Sequence, residues 1–146
     1  MKAVVFFQKG KVETVQMETP ELSDTEVLIE VMAAGVSSTD RKIVQGKAEA
    51  EPEIILGHEV AGIIRDAGEL VPDAFVGEPV VVDPNVVCNI CPECHLGKPH
   101  LCRYLRTYGV HFDGGFAEYF AVNMTAVYFF DDEILPFEIA AFAEPL

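Results

Sequence analysis

Apolar residues along this chain alternate with polar ones in short runs and rarely recur at helical spacing. Val27, Ile29 and Val31 share one face of an extended segment. Runs rich in Val, Ile, Phe and Tyr at 2–7, 60–64, 80–82, 116–122 and 127–130 predict further strands. Turn-forming residues separate them, at Lys9-Gly10, Thr19-Pro20, Gly68, Pro72-Asp73, Asp83-Pro84-Asn85 and Asp113-Gly114-Gly115. Their spacing is irregular, so no internal repeat is visible. Helix is scarce: one short segment is predicted to begin near Thr39-Asp40, and another at Leu135, with Pro136 in its first turn, ending before Pro145. The pattern predicts a mainly β domain, a barrel or a sandwich, with a few short helices.

Between 87 and 103 the apolar periodicity disappears while Cys, Pro, Gly and His accumulate. Such a loop needs an outside source of stability, and bound metal is the natural one. Cys88, Cys91, Cys94 and Cys102 are the chain's four cysteines, and all fall within 15 consecutive residues. A disulfide framework would tie distant segments together; this crowding suits one tetrahedral ion with sulfur bonds of about 2.3 Å. Four thiolates close the coordination sphere, so the predicted site is a structural zinc in a lobe spanning about 84–105. An iron–sulfur cluster is the competing reading of Cys-x2-Cys-x2-Cys. Against it, seven residues separate Cys94 from Cys102, and Arg103 rather than proline follows. His95 and His100 read as loop histidines, since four thiols suffice. His111 reads either as a turn histidine or as part of a cleft.

Composition narrows the function. At 146 residues the chain is one domain, able to bury roughly two-thirds of its unfolded surface. A formal charge of −14 from scattered acids argues against nucleic acid. No apolar stretch is long enough for a membrane span, and Gln8-Lys9-Gly10 interrupts the N-terminal apolar run before an export signal forms, so a cytoplasmic protein is expected.

Gly57-His58-Glu59 follows the apolar run Ile54-Ile55-Leu56, which sets an imidazole and a carboxylate at the end of a buried strand. Both are zinc donors, although a His-Glu pair alone is more often a histidine satisfied by its neighbour. With these residues stand Glu26-Val27-Leu28-Ile29, Ala34-Gly35-Val36-Ser37-Ser38-Thr39-Asp40, Val60-Ala61-Gly62, Asp113-Gly114-Gly115-Phe116-Ala117-Glu118-Tyr119 and Ala143-Glu144-Pro145-Leu146. In this order, around the four cysteines, they resemble the N-terminal half of the zinc-dependent medium-chain alcohol dehydrogenases, the sorbitol and threonine dehydrogenase group. The likeness covers essentially the whole chain and implies a GroES-like, partly open β-barrel over 1–146 with a projecting zinc lobe.

It also implies a catalytic zinc held by the positions of Ser37, His58, Glu59 and Glu144. His58, Glu59 and Glu144 match the family's ligands. Ser37 does not: a neutral hydroxyl stands where the family has a thiolate, which removes a soft, charged ligand. An engineered change, a site completed by His, Glu and water, and a relative that has lost its metal are three readings of that serine. Thr39 matches the hydroxyl that passes the substrate proton outward, and Asp40 the acid that orients the ligand imidazole. Ser, Thr and Asp are also favoured helix caps, and both roles can coexist.

The implied activity is oxidation of a small neutral alcohol or polyol, with hydride passing to NAD(P). In the family that cofactor sits on a following Rossmann domain; no Gly-rich dinucleotide turn is found within 1–146, so the chain is expected to be inactive alone. A stand-alone structural zinc module without catalysis is the alternative. Full-length members are homo-oligomers, and for 1–146 alone a monomer or an altered assembly is expected. Substrate identity and the choice between NAD and NADP are not legible.

Overall fold

A computed structural model describes residues 1–144. Among them the strands are β1 Lys2–Gln8, β2 Lys11–Gln16, β3 Glu26–Gly35, β4 Ile54–Ile55, β5 Glu59–Ala67, β6 Pro79–Val82, β7 Asn85–Val86, β8 Arg106–Thr107, β9 Tyr119–Asn123 and β10 Val127–Phe129. The helices are short: α1 Ser38–Val44, α2 Pro92–His95 and α3 Phe137–Ala140, the last continued by a 3-10 turn at Ala141–Ala143.

Five strands form the main antiparallel sheet in the order β10-β6-β5-β3-β9, and three form a second, β2-β1-β4. A bridge between Ala3 and Ala117, together with hydrogen bonds from Val4 N–H to the Phe116 carbonyl (2.8 Å) and from Phe116 N–H to the Leu56 carbonyl (2.8 Å), joins their edges. The predicted partly open barrel thus takes the form of open sheets that do not close. A separate two-stranded ribbon, β7-β8, carries the cysteine lobe.

Alternation places Val27 and Ile29 of β3, Val80 and Val82 of β6, and Phe120 and Val122 of β9 on one inner face with Val60 and Ile64 of β5. All are at most 3% exposed, and burying each such side chain contributes about 1.5–3 kcal/mol. The central strand β5 is buried on both faces at its start. Ala140 and Ala141, at the end of α3, pack on Ala61 from the outer side. That packing brings the chain end back across β5, beside the segment that follows Gly57.

Three departures from the sequence pattern concern weak signals. β2 is an unpredicted edge strand: Val12 and Val15, its apolar residues, fall on opposite parities, and it hydrogen-bonds a neighbour on one side only. In the region read as an unstructured loop, Pro92 starts the single helical turn α2. The second expected helix begins at Phe137, with Pro136 outside it as the cap. Pro145 and Leu146 lie outside the described residues.

Candidate metal centres

Among the described residues, two groups of metal-donor side chains each bring their donor atoms within 4.8 Å of one another. One is Cys88, Cys91, Cys94 and Cys102; the other is His58, Glu59 and Glu144.

All four cysteines carry free thiols. Cys91 Sγ lies 3.4 Å from Cys94 Sγ, and Cys88 Sγ lies 4.0 Å from it. Tetrahedral zinc with bonds of about 2.3 Å needs sulfurs about 3.8 Å apart, so the cluster fits the ion. Backbone donors already point at the sulfurs. Cys91 N–H donates to Cys88 Sγ at 3.3 Å, and Cys88 N–H and Tyr104 N–H donate to Cys102 Sγ at 3.3 and 3.4 Å. The bonds to Cys102 favour its thiolate, and the Cys88 amide above all holds that thiol below the usual range. Desolvation, reinforced by the neighbouring thiols, pushes Cys94 up to about 12. A cation bound between the sulfurs would displace their protons as it binds. Arg103 grips Glu93 through Nε at 3.0 Å and Nη2 at 2.8 Å, holding that carboxyl below its ordinary value and bracing α2 against the last cysteine. His95 and His100 are exposed and stand outside the thiol cluster.

The second centre is assembled by strand register. In the antiparallel β3–β5 pair, Gly35 faces Glu59. A Cβ at Gly35 would lie 2.0 Å from Glu59 Oε2, so glycine makes the room that the carboxylate occupies. Gly57 turns the chain from β4 into β5 with φ +95°, a left-handed conformation suited to glycine, and a Cβ there would meet the Phe116 ring at 2.5 Å. His58 follows at once, 6% exposed, and Glu59 is 7% exposed. Glu144 comes from the opposite side, just past the 3-10 turn that rests on β5, and is exposed.

At the end of β3 the chain enters α1 through a capping box. Ser37 Oγ accepts from Thr39 N–H at 3.2 Å, while Asp40 Oδ2 accepts from Ser37 N–H at 2.8 Å. The other oxygen of Asp40 faces His58 Nδ1 at 3.6 Å; both atoms are buried, and neither has another partner. Asp40 therefore both caps the helix and confronts the imidazole, leaving the second ring nitrogen free to coordinate. That orphaned pair, beside two further carboxylates, fits a divalent ion. Thr39 sits half-buried in the first turn of the same helix.

His111 is a turn histidine: its Nδ1 accepts from Thr107 N–H at 3.0 Å, and it also lines a shallow cavity of about 410 Å³ with Phe6 and Ile43. In the sequence Gly35 is only one member of the Ala34-to-Asp40 motif. Its spatial role could not be foreseen, because nothing in the sequence gives the β3–β5 register.

The fold is thus one of open antiparallel sheets that carry a four-thiol lobe and, separately, a His/Glu cluster of metal-donor atoms. The chain belongs to the alcohol dehydrogenase GroES-like domain family, whose model matches residues 23–132. It is 36% identical to L-threonine 3-dehydrogenase of Symbiobacterium thermophilum, over 100% of this chain and 43% of that protein. It is 33% identical to D-altritol 5-dehydrogenase of Agrobacterium fabrum, again over 100% of this chain and 43% of the relative. A protein from Sinorhizobium meliloti 1021 assigned as a zinc-binding dehydrogenase, solved with NADP bound, superposes with a TM-score of 0.94 at 38% identity, covering 99% of this chain and 42% of that one. The chain thus spans less than half the length of these relatives.

Proposed function

We propose that residues 1–146 form the catalytic-domain portion of a zinc-dependent, NAD(P)-linked alcohol or polyol dehydrogenase, with the nicotinamide held by a separate Rossmann domain. The observation that carries this reading is the convergence of His58, Glu59 and Glu144 donors within 4.8 Å, with Asp40 turned toward the imidazole. A purely structural module has no use for a buried histidine and aspartate whose facing atoms lack other partners.

His58, Glu59 and Glu144 would hold the catalytic ion, and Cys88, Cys91, Cys94 and Cys102 the structural one. When bound, the catalytic ion supplies Lewis acidity that lowers the pKa of a substrate hydroxyl. Asp40, whose Oδ1 faces Nδ1 at 3.6 Å, would fix the His58 tautomer by accepting from Nδ1–H once the imidazole is drawn to the ion. Thr39, in the first turn of α1, is placed in the role of passing the hydroxyl proton outward, as its position in the family motif suggests. Ten basic against 24 acidic side chains favour a neutral substrate over a phosphorylated one. Among the described residues no helix is long and apolar enough to cross a membrane, and thiols gathered for metal support a reducing, cytoplasmic setting.

The test is a chimera joining residues 1–146 to the cofactor domain of the S. meliloti protein. It should reduce NADP in the presence of a neutral polyol and lose that activity on Glu59→Gln. A chimera that folds, holds two metal ions and transfers no hydride from any alcohol would sink the proposal.

A further inference from the structure

Ser37 sets the chemistry of the second centre apart from that of the lobe. Its hydroxyl is engaged as the helix cap, accepting from Thr39 N–H, while its own N–H is tied to Asp40. A hydroxyl so placed is neutral, whereas a thiolate there would bring a negative charge and a soft donor. The donors gathered at the centre are one imidazole nitrogen and two carboxylates. Their two negative charges balance a divalent cation without sulfur. Carboxylates suit manganese and imidazole suits zinc, whereas thiolate selects softer ions, zinc among them. Zinc still ranks above manganese at any such site, but the gap narrows when sulfur is removed. Access differs too: His58 and Glu59 are buried, yet Glu144 is exposed, so one ligand can swing to solvent and release the ion.

We infer that the second centre is a thiolate-free, exchangeable divalent-cation site, held by His58, Glu59 and Glu144, that accepts Mn2+ beside Zn2+ while the cysteine lobe keeps zinc. The inference rests on the proposed function only in taking these three residues as metal ligands.

The experiment is a Mn2+ titration of the 146-residue chain carrying one zinc in the lobe, read by the electron paramagnetic resonance of free Mn2+. One Mn2+ per chain is expected, without loss of lobe zinc. Glu144→Gln, a change at an exposed position that threatens no packing, should abolish it, as should His58→Asn. Ser37→Gly, which keeps a residue favoured at helix caps but has no hydroxyl, should leave Mn2+ affinity unchanged. Ser37→Cys should raise the preference for zinc over manganese by more than about 100-fold, beyond the range of losses in outer-shell partners. It should also add a second sulfur-to-metal charge-transfer band in the Co2+ form. Loss of Mn2+ binding in Ser37→Gly would make the hydroxyl a ligand and overturn the inference. A wild-type chain that takes a second zinc but refuses Mn2+ overturns it while leaving the proposed function standing. If neither zinc nor manganese binds beyond the lobe, both fall together.

Discussion

The cysteine lobe and the His58 centre reach their geometry by opposite routes. All four lobe ligands lie within one short segment, and only Cys91 and Cys102 are buried. Its regular structure amounts to the single turn α2, a 3-10 turn at Pro99–Leu101 and the two-residue strands β7 and β8. Ile90 and Leu96 are more than 70% exposed, so no apolar core stands behind it. The His58 centre draws on the end of β3, the start of β5 and the segment after α3, elements already fixed by the sheet and its inner face. In the lobe a bound metal would have to make the structure, whereas at the other cluster the structure is in place before any metal.

The largest effect that would test this contrast is metal removal. Structural zinc in isolated cysteine modules contributes on the order of 10–16 kcal/mol of binding free energy, which there is folding free energy. A strong chelator, or Cys94→Ser, should therefore collapse protection from hydrogen exchange across 88–102 while β3 and β5 stay protected. Uniform loss across both regions would break the contrast. The reverse perturbation is Ile64→Ala, which empties a fully buried position of the inner face and should cost about 3 kcal/mol. Chemical unfolding should show the sheet melting earlier, with the lobe retaining its zinc until the sheet has gone.

The same contrast explains what could be read in advance. The lobe was legible because its ligands are neighbours in sequence, and short Cys spacing nearly dictates a common centre. The inner face was legible where strands carry alternating Val and Ile, as at Val27 and Ile29. Edge strand β2, with little apolar surface to bury, gave no such period. At the second centre, His58 and Glu59 alone are ambiguous, and Glu144 joins them only because Ala140 and Ala141 pack on Ala61. Such long-range packing leaves no trace in local pattern, so resemblance to a family had to supply the third ligand. The room that Gly35 leaves for Glu59 is a matter of register, which hydrophobic alternation constrains to a face but not to a partner.

A subtler change should separate the two centres without unfolding either. Asp40→Asn keeps an oxygen for the Ser37 N–H but replaces the negative acceptor facing His58 Nδ1. Outer-shell partners of this kind typically carry 10–100-fold in metal affinity. Calorimetric titration should show the second ion weakened by about that factor and the lobe zinc untouched. Equal weakening of both ions would mean that the centres communicate.

The smallest effect lies at the seam. Tyr108 N–H donates to the Pro84 carbonyl at 3.0 Å at the base of the lobe, its hydroxyl accepts from Asn123 N–H at 3.2 Å, and its ring meets Phe120 edge-on at 5.4 Å. Tyr108→Phe keeps the ring but strands the Asn123 amide, so about 1 kcal/mol of stability should be lost, read from urea unfolding. Burial raises the Tyr108 pKa above its ordinary value. The unfolded chain then gives up this proton first, so the stability Tyr108 contributes is complete below about pH 10 and lost as pH rises toward the folded value. Tyr108→Phe should flatten that part of the alkaline decline. If it also speeds zinc loss from the lobe, the seam carries strain from one region to the other; if zinc release is unchanged, the ribbon β7-β8 merely tethers a self-contained metal lobe to the sheet.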